Sequence, residues 1–238
     1  IRAFGEGSVW LPELTVQKTR LGVASIPIAL FIAVFTGIVL ALLASYIFTG
    51  AVPLYFVGAL VGKTIMMELG PVLTGMALAG RVGASIAAEL GAMKVTEQVD
   101  ALETLGWNPR SYLVVPRVIA ATVMFPVVTA FAIGTGVIAG WITAVNLLDL
   151  STPEFEKGLR SFYQGKDLWF GLVKAASFGA AVALIGSIRG LGTRGGAAGV
   201  GAAVCFPLGG QDKATTRAVA EGCMAILVLD AFWALVLL

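Results

Sequence analysis

The 238-residue chain is 58% hydrophobic and 13% charged, with 30 glycines and a mean hydropathy of +0.93, which excludes an ordinary soluble domain and marks an integral membrane protein. A formal charge of +2, with its basic residues dispersed, excludes a nucleic-acid partner. Histidine is absent and the only cysteines are Cys205 and Cys223, so histidine-dependent triads and Cys/His metal sites are excluded and both cysteines read as packing residues.

The chain begins at Ile1, so an upstream segment and any targeting signal stay open. Residues 1–20, with Trp10, Pro12 and flanking charges, predict a short interfacial element on the inner membrane surface, with a disordered tail as the alternative. No charged residue occurs from Leu21 to Gly62. That run holds one span of about 20 residues or more, a turn at TGAVP where Gly50 and Pro53 break it, and the start of a second span. Further apolar stretches run from about Pro53 to Gly80, Val118 to Val145, Leu168 to Ile188 and Val219 to Leu238. The expected fold is therefore all-α, one transmembrane domain over 1–238 with five spans, the second kinked at Gly70-Pro71.

Residues 149–167 (DLSTPEFEKGLRSFYQGKD) place Phe155, Leu159 and Phe162 at helical spacing behind a Ser/Thr/Pro start signal, and predict a short outer helix. Orientation follows from the basic residues. With the amino end inside, the inner connections hold Arg2, Lys18, Arg20, Lys94, Arg110, Arg117, Arg189, Arg194, Lys213 and Arg217, against Lys157, Arg160 and Lys166 outside. Small residues recur four apart at Gly58/Gly62, Gly136/Gly140, Gly186/Gly190 and along Gly171, Ala175, Gly179 and Ala183, which predicts close helix packing within the chain or at a dimer seam.

Between the second and third spans the polarity changes. GAMKVTEQVDALETLG, residues 91–106, predicts a cytoplasmic helix over 97–105, with Thr96 as its cap, Glu97 and Asp100 in its first turn and Gly106 as its stop. Val95, Val99 and Leu102 form its apolar side, and Glu97, Asp100, Glu103 and Thr104 the other. A solvated helix lying on the bilayer is one reading. Such helices carry basic polar faces, however, whereas an acidic face suits a basic protein groove.

Charges inside spans are expensive and functional by default. Glu68, Lys174 and Asp230 fall in the outward half of three spans, and an ionic cluster in which both acids pair with Lys174 lowers the desolvation cost of each. Arg81 and Glu89 bracket the small-residue run at the inner end of the second span. Arg81 reads as snorkelling to inner headgroups, with a relay of the cytoplasmic helix's movement as the alternative.

Two motifs mislead. GLGTRG, residues 190–195, fits a dinucleotide fingerprint but follows an apolar helix instead of a strand. Gly62-Lys63-Thr64 matches the end of a phosphate-binding loop, but Val57 stands where the first glycine belongs. ATP binding by this route is excluded, and no cofactor is expected in this chain.

The run ELGPVLTGMALAGRVGASIAAELGAMKVTEQVDALETLGWNPRSYLVVPRVIA, residues 68–120, closely resembles the MlaE/YrbE permeases of MCE-type lipid ABC transporters. ATTRAV at 214–219 and RGGAAGVG at 194–201 resemble two further signatures of that family. The likeness covers nearly everything from about residue 20 onward. It departs from the family at 202–213, an extra or altered segment, and at Leu43, where many relatives carry glutamine.

The resemblance implies a phospholipid-transporting, homodimeric permease of the bacterial inner membrane, with the chloroplast inner envelope as the alternative location. It implies a coupling helix at 94–106, with Lys94, Glu97, Gln98, Asp100 and Glu103 docking on a separate ABC ATPase that holds the ATP. It further implies an MCE-domain lipid carrier on the outer side, a small regulatory subunit on the ATPase in some systems, and a lipid path lined by Leu40, Leu43, Ile47 and Phe48. Two rivals come from other classes. One is a self-sufficient carrier or channel using Glu68, Lys174 and Asp230 as an ion relay; the other is an intramembrane enzyme, for which the residues offer no recognisable site.

Overall fold

The computed structural model describes residues 7–48, 53–148, 150–193 and 214–237, with side chains from Leu14 onward apart from those of Arg110 and Leu237. Among these residues every regular element is a helix, and five helical rods are long and apolar enough to cross a membrane.

Helix α1 (Gly7–Leu21) leads through a 3-10 turn (Val23–Ser25) into the first membrane helix, α2 (Ile26–Ile47), which carries a proline in its opening turn. α2 ends at Ile47 with Phe48 as its C-cap, and the next helix starts at Phe56; the turn expected at Gly50 falls at 49–52, outside the described residues. The N-terminal segment thus contains a helix, and Leu14, Gln17 and Leu21 are buried along it.

The second rod is longer than the apolar stretch that marks it. It runs from Phe56 to Val95 as α3 (Phe56–Thr64), a π segment (Ile65–Leu69), α4 (Gly70–Leu78), a second π segment (Ala79–Gly83) and α5 (Ala84–Val95). The expected kink at Gly70-Pro71 takes the form of the first π segment. Pro71 has no N–H to give and its ring crowds the preceding turn, and the chain widens there, the Gly70 amide reaching back to the Ile65 carbonyl. Residues 57–61, where the loop of a phosphate-binding motif would lie, are helical together with Gly62, Lys63 and Thr64, so no such loop forms there.

A short α6 (Gln98–Thr104) follows, then α7 (Pro109–Leu147), whose 39 residues extend about 58 Å. The predicted outer helix is α8 (Thr152–Phe162). Ser151 and Glu154 form a reciprocal capping box, the Glu154 carboxylate accepting from the Ser151 amide at 3.1 Å and from its hydroxyl at 2.7 Å. Residues 165–167, expected in that helix, instead open α9 (Gly165–Leu191), and α10 (Ala214–Leu237) closes the described chain. Cys205, the glycine-rich run 194–201 and the departure at 202–213 lie outside the described residues.

Two compact units are built from these rods. One comprises Ile1–Ala24, Gly75–Phe125 and Ala176–Leu238, the other Ser25–Thr74 and Pro126–Ala175. In the second unit Leu40, Ala41, Val57, Val61, Ile65, Ile133 and Phe155 form a core. Because lipid tails are as apolar as leucine, packing between membrane helices depends on close backbone approach. A Cβ at Gly37 would overlap the Gly136 carbonyl where α2 crosses α7, and one at Gly158 would overlap the Tyr55 carbonyl where α8 meets α3. Gly58, Gly62 and Gly140 face the same helix crossings, while in the first unit Gly186 and Gly190 face α5. These stripes therefore serve packing within the chain.

Candidate functional site

The short helix expected between the second and third spans forms by a different route from the predicted one. Because α5 runs on to Val95, Thr96 is spent closing it: the Thr96 amide and hydroxyl both donate to the Ala92 carbonyl, at 3.0 and 2.9 Å. Thr96 is not the cap of the next helix. Glu97 takes that position in the left-handed region, at φ 59°, where an L residue costs about 1–2 kcal/mol. The far end agrees with expectation. Gly106 adopts φ 80°, its amide bonds the Glu103 carbonyl and the Trp107 amide bonds the Leu102 carbonyl, the paired bonds of a Schellman stop.

Of the five residues assigned to docking, Lys94 lies in the last turn of α5, Glu97 stands in the turn between the helices, and Gln98, Asp100 and Glu103 lie on α6. Val99 faces inward and is buried, whereas Glu97, Gln98, Asp100 and Glu103 are exposed. Lys94 Nζ lies 2.6 Å from Asp100 Oδ1, so part of the acidic face is already neutralised. Sequence reasoning missed two neighbours, Leu105 and Trp107, which stand exposed beside α6 with the Trp107 ring edge-on to Tyr112 at 5.8 Å.

The intramembrane charges resolve into helix-to-helix pairs. Lys174 Nζ on α9 lies 2.7 Å from Glu68 Oε2, inside the first π segment, and 5.8 Å from the centre of the Phe170 ring. The lysine side chain is completely buried and the glutamate side chain 45% exposed. A second pair, not anticipated, lies one to two turns along the same two rods: Lys63 Nζ is 3.9 Å from Asp167 Oδ2. Between them Gly171 comes so close to the Met66 carbonyl that a Cβ would overlap it. The half of the expected cluster formed by Glu68 and Lys174 is thus in contact. Asp230 stands on α10 in the other unit.

Of the four residues assigned to a lipid path, Leu40 belongs to the core of its unit and Phe48 packs against that core. Leu43 and Ile47 face outward, at 50% and 59% exposure, on a surface they share with Phe35, Val39, Leu42 and Tyr46. Elsewhere a cavity of about 550 Å³, lined mainly by Val114, Val115, Ser187, Ile188 and Leu191, opens between α7 and α9.

At the base of α5 Glu89 accepts from two arginines, Arg20 at 3.3 Å and Arg117 at 3.2 Å. Arg81 does not simply snorkel, since its guanidinium donates to the Ala24 carbonyl in the turn between α1 and α2. Arg189 grips Glu221 with two N–H groups, joining α9 to α10.

Comparison with known proteins adds to this geometry. The pattern of the family Permease MlaE matches residues 14–236. A probable ABC transporter permease protein of Synechocystis sp. is 37% identical over 218 residues, which is 91% of this chain and 78% of that protein. The intermembrane phospholipid transport system permease protein MlaE of Haemophilus influenzae is 31% identical over 92% of this chain and 80% of its own length. Protein TRIGALACTOSYLDIACYLGLYCEROL 1, chloroplastic, of Arabidopsis thaliana is 30% identical over 90% of this chain and 58% of its own. With five membrane-crossing rods and a family match over nearly its whole length, this multi-pass membrane protein belongs to the MlaE permease family.

Proposed function

We propose that the chain is the permease subunit of an ATP-driven phospholipid transporter, working as a homodimer with a separate ABC ATPase. The observation that carries this reading is the match along 92% of the chain to a permease named for intermembrane phospholipid transport. The α6 region supports the division of labour. An exposed helix with Glu97, Gln98 and Glu103 outward is a docking element for a basic groove, and a chain without a phosphate-binding loop takes its energy from a partner.

On this reading ATP binds to the ATPase and not to this chain. Closure of two ATPase subunits moves two α6 helices and changes the spacing of the first spans in the dimer, where Leu43, Ile47 and their outward neighbours meet acyl chains. An MCE-domain carrier takes or delivers lipid on the outer side, and a small regulatory subunit sits on the ATPase. Glu68, Lys174 and Asp230 stabilise or gate the path. The amino end faces the cytoplasm, as the distribution of basic residues argues, and the membrane is the bacterial inner membrane, as the likeness to MlaE permeases suggests.

The test is purification of the tagged chain from its native membrane in mild detergent. The expected result is recovery of an ATPase, an MCE-domain protein and phospholipid. Recovery of the chain alone, together with ion-gradient-driven flux by that chain, would replace this reading with the ion-relay carrier.

A further inference from the structure

Glu89 stands six residues before the end of α5, the helix that leads directly into α6, and its two oxygens serve two different helices. Oε1 accepts from Arg20 on α1 and Oε2 from Arg117 on α7. The two arms are unequal. Arg117 is buried and is held on its own helix by a bond from Nη1 to the Leu113 carbonyl at 3.2 Å, whereas the Arg20 side chain is 64% exposed. One arm therefore fixes the carboxylate, and the other makes or breaks at little cost, as exposed ion pairs do.

The exposed arm reaches a particular place in the chain. Arg20 lies just before the turn Val23–Ser25 that joins α1 to α2, and the Ala24 carbonyl in that turn receives Arg81 from the second π segment. The rod that ends beside α6 thus grips the α1–α2 junction twice, through Glu89 and through Arg81. It meets that junction as a stiff body, because α5 is an unbroken helix against which Gly186 and Gly190 pack at backbone distance.

We propose that Glu89 and Arg20 are positioning residues for energy coupling: displacement of α6 passes along α5 to Glu89 and through Arg20 to the α1–α2 junction, and so to the first membrane helix. This rests on α6 being the ATPase docking helix. A contiguous set of contacts becomes a coupling route only when breaking one of them changes the coupling and not merely the fold.

The test uses the complex purified from native membranes, with Arg20→Ala and Arg20→Lys. Three quantities are read: assembly with the ATPase, ATP hydrolysis, and labelled phospholipid moved per ATP in proteoliposomes. Arg20→Ala is expected to assemble and to hydrolyse ATP within about twofold of the unmodified complex while lipid moved per ATP falls about fivefold, the upper size for an exposed ion pair. Arg20→Lys is expected to restore the ratio, because Arg20 uses a single N–H on a single oxygen and an ammonium serves as well there. An unchanged ratio in Arg20→Ala would overturn the proposal, and failure of that variant to assemble would do so too, by making the contact structural. If the unmodified chain brings no ATPase at all, the docking reading falls first and this inference with it.

Discussion

Lys174 is completely buried and its ammonium lies 2.7 Å from the Glu68 carboxylate, which is itself 45% exposed. The asymmetry decides what each truncation does. Glu68→Ala leaves a buried cation without this counter-charge, a change that costs about 3–5 kcal/mol in fully buried pairs and falls toward the lower end here because water reaches the glutamate. Lys174→Met removes the cation and fills its volume, and is expected to be far milder. The double variant should recover most of the stability lost in Glu68→Ala. Thermal unfolding of the four proteins in one detergent reads this directly, and additive losses would show that the pair is not coupled.

Docking through α6 is best tested away from the close Lys94–Asp100 pair. Asp100 is engaged by Lys94, so reversing its charge also sets two lysines against each other. Glu97 is the cleaner probe, followed by Glu103, which attracts Lys94 more weakly than Asp100 does. Glu103→Lys is expected to weaken ATPase binding at least tenfold at low salt, with the loss shrinking as salt rises. Glu97→Gly separates side chain from backbone: relief of the left-handed strain and the entropy cost of glycine are both about 1 kcal/mol, so stability should barely move. Any loss of binding in that variant belongs to the carboxylate. Pull-down of the ATPase against a salt series supplies the measurement.

Gly158 marks the tightest approach of α8 to α3, with no room for a methyl group against the Tyr55 carbonyl. Gly158→Ala must push the two helices apart, at about 1–3 kcal/mol. Limited proteolysis should then cut within 152–162 more rapidly, while α6 stays unaffected.

The capping box gives α8 a pH dependence. The Ser151 hydroxyl, and after it the Ser151 backbone amide, hold the Glu154 carboxyl below the ordinary value of 4.5. A lowered folded value contributes stability that is present above the unfolded value and is lost as pH falls through the folded one. Hydrogen exchange in 152–162 should therefore be independent of pH, after correction for intrinsic rates, above about pH 5 and rise below about pH 4. Glu154→Gln should abolish this step and leave α8 more open at neutral pH.

Much of this could be read from residue types alone. Five apolar runs gave five rods, because backbone in lipid must bond to itself and helices alone do so within one segment. Glu68 and Lys174 were paired in advance by the cost of burying either alone. Gly106 marked its stop because few other residues tolerate its conformation. What could not be read depended on where a helix ends. Nothing in Thr96 says whether it opens α6 or closes α5, and the run of α5 as far as Val95 decided it. Pro71 announced a distortion but not that a π turn would absorb it. Lys63, met first as part of a false phosphate loop, and Glu89, met as the edge of a small-residue run, have partners 104 and 28 to 69 residues away. Spacing within one helix carries no trace of such contacts.

The most direct test of the central claim is movement of labelled phospholipid in proteoliposomes holding the purified complex, with ATP, without ATP, and with a variant ATPase that binds but does not hydrolyse it. The account predicts transfer to or from the MCE-domain carrier only where ATP is hydrolysed, and none when this chain is omitted. Transfer at the same rate in all conditions, or driven by an ion gradient without the ATPase, would contradict it.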